Sequence, residues 1–314
     1  MRKVLIRLLL SLPPTVLGVL TVVFLITRLI PGDPAEVILG ELATPESLQE
    51  MRQMLGLDQS ILTQYLEFLN NVLRGDLGRS LMTDKPVLDE LLGVFPFTAE
   101  LAIAALFVSV LVGVPIGIFS ATRRNTPGDY VSMVFALLGV SAPVFWVGIL
   151  LILFFGLELH WFPVIGSSTH DDIGRLLHHL VLPAITMGFF TTGLTARMTR
   201  SSVLDVLGED YILAARSKGL AERIVIWRHV FRNALIPVVT IVGLNLGRMM
   251  GGAIVTETVF ARPGVGRLLI ESISARDYPQ IQATVAFFAV VFIVVNGFVD
   301  ISYSYIDPRV EHEV

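Results

Sequence analysis

The polar interval between two membrane-length apolar segments of this chain contains the sequence Glu209-Asp210-Tyr211-Ile212-Leu213-Ala214-Ala215-Arg216-Ser217-Lys218-Gly219. A charged stretch that joins two such segments predicts a chain that crosses a membrane repeatedly. The stretch combines small and charged side chains. It therefore also predicts a surface to which another protein binds.

The overall composition agrees with a membrane protein. Only 16% of the 314 residues are charged, against about 25% in soluble domains, and the mean hydropathy is +0.73. A helix needs about 20 apolar residues to cross a hydrocarbon core of ~30 Å. Six windows reach that length: 8–30, 98–120, 131–156, 180–198, 236–256 and 282–304. The sequence therefore predicts an all-α polytopic membrane protein with six transmembrane helices.

Basic residues indicate the side of the membrane on which each loop lies, since cytoplasmic loops are enriched in Lys and Arg. The segment 31–95 has four basic residues against eleven acidic ones. If six helices alternate, the opposite side collects Arg2, Lys3, Arg7, Arg123, Arg124, Arg197, Arg200, Arg216, Lys218, Arg223, Arg228 and Arg232. We therefore expect both termini in the cytoplasm and the 31–95 segment outside it.

This topology divides the chain into three regions. Residues 1–30 form the cytoplasmic N-terminus and the first transmembrane helix, and 31–97 form a helical extracytoplasmic insertion. Residues 98–314 form a core with transmembrane helices two to six, including a cytoplasmic loop at 199–235. The insertion has either of two roles, shielding the helix ends or docking a partner, and the sequence leaves both open. Because the chain has no cysteine, packing must hold the insertion together.

The fifth apolar window has small residues on one face. Gly243, Gly247 and Gly251 recur every four residues, which favours close packing against another helix. Asn245 and Arg248 lie on a different face of the same window. Ionisable groups at such depth usually face a bundle interior or a water-filled cavity.

We therefore predict that Arg248 and Asn245 line a transport pathway. The alternative for Arg248 is a structural pairing with Glu257, Asp300 or a backbone carbonyl.

The second and third windows contain helix-breaking residues. Breaks in a membrane helix are tolerated only where neighbours or water satisfy the freed carbonyls. Such positions suit either a helix that lines a pathway, with Ser141 as a candidate, or a kink required for packing. The residues concerned are Gly113, Pro115 and Gly117 in the second window and Gly139, Ser141, Ala142 and Pro143 in the third.

The polar interval from Met198 to Ile236 predicts two short helices. In the first, Asp210 can cap the N-terminus and Gly219 can end the helix in the left-handed conformation. Ala214 and Ala215 would give it a small-sided surface over which a groove can close. In the second, which begins at Ala221, one face is apolar and carries Ile224, Trp227, Phe231 and Leu235.

This interval resembles the cytoplasmic loop of binding-protein-dependent ABC importer permeases, of the dipeptide, oligopeptide and nickel branch. The matching residues are Asp210-Tyr211, Ala214-Ala215-Arg216-Ser217-Lys218-Gly219 and Arg232-Asn233-Ala234-Leu235-Ile236-Pro237. The resemblance extends over nearly the whole chain. Further blocks are Pro31-Gly32-Asp33-Pro34, Gly75-Asp76-Leu77-Gly78, Glu257-Thr258-Val259-Phe260, Pro263-Gly264-Val265-Gly266 and Arg276-Asp277-Tyr278-Pro279.

The resemblance implies a permease subunit, in a bacterial cytoplasmic (inner) membrane, that transports short peptides or related small solutes. Its implied partners are a second homologous permease, two ATP-binding subunits and an extracytoplasmic substrate-binding protein, with no nucleic acid. The implied ATPase-coupling residues are Asp210, Tyr211, Ala214, Ala215, Arg216, Lys218 and Gly219. The chain has no phosphate-binding loop. We therefore expect no catalytic residue, metal or cofactor in it, with ATP and Mg²⁺ bound by the partner ATPases.

Two other classes remain open. A secondary, ion-coupled transporter would also lack a phosphate-binding loop, although no internal repeat typical of such carriers is evident. An intramembrane protease could use Ser141 together with His178 or His179. One Gly-x-Ser sequence has a high false-positive rate.

Overall fold

A computed structural model describes residues 2–29, 33–40, 43–166 and 172–306. These residues are almost entirely helical, and one isolated antiparallel bridge joins Arg79 to Pro86. The helices are α1 (Arg2–Leu29), α2 (Pro34–Leu39), α3 (Pro45–Met54), α4 (Ile61–Leu73), α5 (Val87–Thr122), α6 (Pro127–Ser141), α7 (Val144–Leu151, continued by a π-helix at Ile152–Glu158), α8 (Ile173–Leu207), α9 (Asp210–Ser217), α10 (Glu222–Ile224, continued by a π-helix at Val225–Val230), α11 (Phe231–Val259), α12 (Val265–Ser274) and α13 (Tyr278–Ile306).

Three helices are each long and apolar enough to cross a membrane: α5, α8 and α13 over Tyr278–Val299. Two bent pairs meet the same criteria when each is counted as one span, which gives up to five spans among the described residues. The apolar part of α1, Pro13–Leu29, is shorter. The predicted all-α polytopic class is confirmed, whereas the count of six transmembrane helices stays a prediction.

The third apolar window is not one continuous helix. Helices α6 and α7 meet at an angle of 106°. Ala142 between them is extended, with φ −74° and ψ 133°, because the ring of Pro143 disfavours the helical conformation of the preceding residue. The window at 131–156 is therefore a bent pair of helices, and the bend lies at the helix-breaking residues noted in the sequence.

The long helices also extend beyond their predicted limits. Helix α5 already begins at Val87, eleven residues before the predicted window at 98–120. Helix α8 extends to Leu207, which leaves 208–230 as the segment between α8 and α11. We call this segment the 208–230 loop.

The chain forms two compact units. Among the described residues, one contains Ala99–Arg262 and 295–306, and the other contains Arg2–Thr98 and Pro263–Val294. The second unit thus combines the predicted insertion with residues distant in sequence. The three consecutive regions expected from the hydropathy pattern stay a prediction.

Small residues bring α5, α6 and α8 close together in the first unit. A Cβ atom on Gly117 would lie 2.5 Å from the Thr199 Cβ and 2.6 Å from the Ala196 carbonyl oxygen. A Cβ on Gly193 would lie 2.4 Å from the Ala136 carbonyl oxygen. Helix α5 passes through Gly113, Pro115 and Gly117 without interruption. Its glycines therefore serve close packing, which is one of the two roles considered for them.

The second unit is held by an apolar cluster and by buried polar contacts. The cluster joins Val87 and Leu91 of α5 to Val265 of α12 and Ala283 of α13. The Ser80 hydroxyl donates to the Asp277 carboxylate at 2.5 Å. These contacts fix the insertion to α12 and α13 without a disulfide.

Candidate functional site

Helix α9 is the first element of the 208–230 loop. Glu209 occupies the N-cap position, and its side chain makes no capping hydrogen bond. The expectation that Asp210 caps this helix was wrong, since Asp210 is the first helical residue. An acidic side chain in the first turn still interacts favourably with the positive end of the helix dipole.

The end of α9 follows the sequence pattern. Gly219 has a φ of +77°, and its amide donates to the Arg216 carbonyl at 2.9 Å. This left-handed conformation favours glycine because a Cβ atom would be strained there. The chain can therefore reverse immediately after Lys218.

The two faces of α9 differ sharply. Ile212 is fully buried and Ala215 is only 8% exposed, whereas Tyr211, Ala214 and Lys218 are exposed. The predicted small surface formed by both alanines is thus divided between two faces. Ala214 lies on the outer face and Ala215 on the inner one.

The inner face of α9 belongs to a cluster built from the ends of the long helices. This inner cluster contains Ile212 and Ala215 together with Val114, Ile118, Ala121, Val203, Val225, Val230, Ala234 and Val238. These residues come from α5, α8, the π-helix at 225–230 and α11. The inner cluster therefore joins α9 to α5, α8 and α11 through closely packed side chains.

Two polar contacts also fix α9. Arg216 donates to both carboxylate oxygens of Glu222, at 3.1 Å from Nε and 2.6 Å from Nη2. This hydrogen bonding raises the pKa of the Arg216 guanidinium. The Asn233 amide donates to the Tyr211 hydroxyl at 2.7 Å. The outer surface of α9 is therefore supported at both of its ends.

The predicted apolar face of the second helix is not the buried one. Ile224 and Trp227 are exposed, while Val225, Val230 and Ala234 are buried. The cause is the π-helix at Val225–Val230, whose wider turn shifts the register that a regular α-helical spacing would give.

A buried ion pair near this loop was not predicted. The Arg200 guanidinium donates to both Asp129 carboxylate oxygens at 2.8 Å, and Ser120 also donates to Asp129. The Asp129 side chain is 3% exposed. The ion pair joins α8 to α6, and the hydrogen bond from Ser120 connects α5 to the same carboxylate. A lone acidic residue close to the basic cluster Arg123-Arg124 was the signal that could have suggested it.

The predicted pathway residues occupy different environments. Asn245 is buried, whereas Arg248 is exposed on the same helix. Ser141 is exposed at the end of α6. The structure therefore does not bring these three residues into one described cluster.

The alternative predicted for Arg248 was a structural pairing with Glu257, Asp300 or a backbone carbonyl. No ion pair of Arg248 with an acidic residue is present in the ranges that the structure describes. Glu257 is fully buried, and the Asp300 side chain lies outside the described residues. In the same unit, the buried Arg262 donates to the Glu100 carboxylate at 2.9 Å.

The three glycines of α11 differ in how closely α13 packs against them. A Cβ on Gly243 would lie 2.5 Å from Val299 Cγ1, and one on Gly247 would lie 2.8 Å from the Asn296 side-chain oxygen. Both neighbours belong to α13. Gly251 has no atom within 4 Å of such a Cβ, so it does not share the close packing of the other two.

The histidines of the described ranges form no recognisable catalytic or metal group. Within the described ranges, no set of three His, Cys, Asp or Glu side chains could hold a metal ion. The His178 Nε2 lies 2.7 Å from the Trp161 carbonyl oxygen, and no hydrogen bond with Ser141 occurs in these ranges. His170 and Asp171 lie outside the described residues.

Comparison with known families gives two matches. The family "Binding-protein-dependent transport system inner membrane component" matches residues 113–312. The family "Binding-prot-dependent transport system membrane comp, N-term" matches residues 1–102. Together they cover the chain except residues 103–112 and 313–314.

Curated relatives extend over nearly the full length. The chain is 42% identical over 327 aligned residues to the dipeptide transport system permease protein DppB of Alkalihalophilus pseudofirmus, which covers 98% of each protein. It is 43% identical over 305 residues to the glutathione transport system permease protein GsiC of Salmonella choleraesuis, which covers 97% of each.

Solved structures share the fold. A chain of the MetNI methionine ABC transporter in an inward-facing conformation matches with a TM-score of 0.58 and 15% identity, covering 71% of this chain and 98% of that one. A chain of an amino acid ABC transporter matches with a TM-score of 0.53 and 14% identity, covering 69% and 94%.

Proposed function

The chain belongs to the family of binding-protein-dependent transport system inner membrane components, and from this premise we propose that it forms the translocation pathway for short peptides or similar small solutes. It is a multi-pass permease of an ABC importer and is not itself an enzyme. The substrate class is supported by the dipeptide and glutathione permeases to which it is similar. A solute of this class would reach it from a substrate-binding protein.

Energy would enter through the outer face of α9. The observation that carries this proposal is the division of the helix into an exposed face around Ala214 and a buried face around Ile212 and Ala215. An ATPase groove could close over the exposed face, where Asp210, Tyr211 and Lys218 supply polar contacts. The inner cluster would then pass the displacement to α5, α8 and α11.

ATP and Mg²⁺ would be bound by two partner ATPases, since this chain has no phosphate-binding loop of its own. A second homologous permease, either a different chain or another copy, would complete the pathway. ATP binding would move α9 as a lever, and hydrolysis would reset it. No cofactor is assigned to this chain.

The proposed topology has six transmembrane helices, with both termini and the 208–230 loop in the cytoplasm. The basic residues of this loop and of the 123–124 turn support that orientation. The insertion between α1 and α5 would then face the extracytoplasmic side, where a binding protein delivers its solute.

Reconstitution tests the function directly. The chain is assembled with its partner permease, ATPases and binding protein in liposomes, and uptake of labelled dipeptides and of glutathione is measured. We expect uptake only when ATP is supplied on the ATPase side and the binding protein on the other. Uptake by the permease alone in an ion gradient would instead support a secondary transporter.

A further inference from the structure

Helix α4 of the insertion has an exposed apolar stripe. Leu62, Leu66 and Leu73 are 67%, 57% and 87% exposed. At 3.6 residues per turn they lie within roughly 40° of one another around the helix. The neighbouring arc is polar and also exposed, and it contains Thr63, Glu67, Asn70 and Asn71. The helix therefore presents an apolar and a polar sector side by side to its surroundings.

A third sector of α4 packs against α1. The Tyr65 and Thr21 hydroxyl oxygens are 2.6 Å apart and share a hydrogen bond. The Phe24 ring lies 5.2 Å from the ring of Tyr65 and 5.7 Å from that of Phe68, centroid to centroid. The position of α4 along α1 is thus fixed by specific side chains.

That position is well inside the end of α1. Thr21 precedes the last helical residue, Leu29, by eight positions, which is about 12 Å at a rise of 1.5 Å per residue. Residues 13–29 of α1 are the apolar part of that helix. The first turns of α4 therefore lie beside the apolar part of α1 and not beyond its end.

The exposed apolar surfaces of the two helices are continuous. Leu25 of α1 and Ile61 and Leu62 of α4 border the same groove, whose lining is almost wholly apolar. On α1 this surface continues through the exposed side chains of Leu17, Val22 and Ile26. In the proposed topology α1 crosses the membrane, and an apolar face of such a helix that no subunit covers contacts hydrocarbon. The leucine stripe of α4 extends this same surface.

We propose that α4 is an interfacial helix, whose Leu62, Leu66 and Leu73 stripe is immersed in the acyl chains of the leaflet that surrounds the Leu29 end of α1. Its polar sector faces the headgroups and water. Side-by-side apolar and polar sectors are the pattern of helices that lie in the plane of a membrane. The insertion is then anchored in lipid, which differs from both roles predicted for it from sequence. This inference does not depend on the transported solute.

Nitroxide accessibility tests the proposal, and the absence of cysteine from the chain allows single labels without background. Leu66→Cys and Glu67→Cys form the matched pair, since they are adjacent and both exposed on α4. The full-length chain, assembled with its partner subunits, is placed in nanodiscs of phosphatidylethanolamine and phosphatidylglycerol. Collision rates are measured with oxygen, which concentrates in hydrocarbon, and with a water-soluble nickel chelate.

We expect the label at 66 to collide more with oxygen than with the nickel chelate, as a label at Leu25→Cys on α1 does, and the label at 67 to show the reverse. Fluorescence of a bimane at position 66 should also be lost with brominated acyl chains. If positions 66 and 67 are equally accessible to nickel, α4 is a solvated cap. If position 66 is shielded from both reagents, a protein subunit covers the stripe. Either result would overturn the proposal.

Discussion

Ala214 gives the most direct test of the proposal that an ATPase acts on α9. It lies on the outer face of α9, so a larger side chain there leaves the inner cluster intact but obstructs a partner's groove. We expect Ala214→Glu to abolish ATP-driven uptake, while the chain still inserts into the membrane, and Ala214→Ser to retain most of it. Uptake in reconstituted liposomes and co-purification of the ATPases measure both effects.

Ala215 provides the comparison for that variant. Because it is buried in the inner cluster, Ala215→Glu would place a carboxylate without a partner in an apolar site, at a cost of several kcal/mol. We expect a lower melting temperature of the isolated chain for Ala215→Glu and an unchanged one for Ala214→Glu. Normal uptake by Ala214→Glu would contradict the role assigned to α9.

The ion pair of Arg200 with Asp129 can be tested by its contribution to stability. The Asp129 carboxylate is buried whereas the Arg200 side chain is 25% exposed, so breaking the pair costs most when Arg200 is removed, at about 3–5 kcal/mol. We expect Arg200→Gln to destabilise the chain strongly and Asp129→Asn less, and the double variant to recover part of the loss. Thermal unfolding in detergent, arranged as a double-mutant cycle, measures this. Arg223→Gln, at an exposed position, is the control, and equal losses at Arg200 and Arg223 would refute the pairing.

Arg248 distinguishes a pathway residue from a scaffold residue. It is exposed on α11 in the isolated chain, which suits a cavity shared with a second permease. We expect Arg248→Ala to lower uptake several-fold with assembly intact. Size-exclusion chromatography of the complex gives the second readout. Failure of the complex to assemble would assign Arg248 to the scaffold instead.

At the scale of elements, the contact of α5 with α8 depends on the absence of a side chain at Gly117. A methyl group there would meet both a side chain and a backbone carbonyl of α8. Overpacking of this kind costs about 1–3 kcal/mol. We expect Gly117→Ala to lower the melting temperature and Gly251→Ala, where space is open, to leave it nearly unchanged. An equal response of both variants would contradict this packing.

The sequence predicted some elements well and others poorly, for physical reasons. Apolar length alone locates α5, α8 and α13, and the left-handed Gly219 follows from helix-ending chemistry. Periodicity could not locate the buried face of residues 221–235, since a π-helix changes the spacing. It also could not predict the 106° bend after Ser141, because a proline allows either a kink or a break.

The sequence also predicted the candidate site only in part. The sequence located α9 within one residue, but it could not assign Ala214 and Ala215 to opposite faces, because that depends on where α9 packs. The Arg200 and Asp129 pair was not found, since its members are 71 positions apart. Long-range pairing of charges leaves no periodic signal along a chain.

For the whole molecule, the proposed mechanism requires that a separate ATPase pushes on α9 and that the packed ends of α5, α8 and α11 transmit the motion into the membrane. The direct measurement is thiol cross-linking in the assembled, membrane-embedded complex, with a single cysteine at Ala214→Cys and a control at Thr63→Cys on α4.

We predict that the cysteine at position 214 cross-links to an ATPase subunit, that MgATP changes the yield, and that the cysteine at position 63 forms no such product. The contrary result is a complex that transports normally while position 214 forms no cross-link and reacts equally with a soluble maleimide whether or not the ATPases are present.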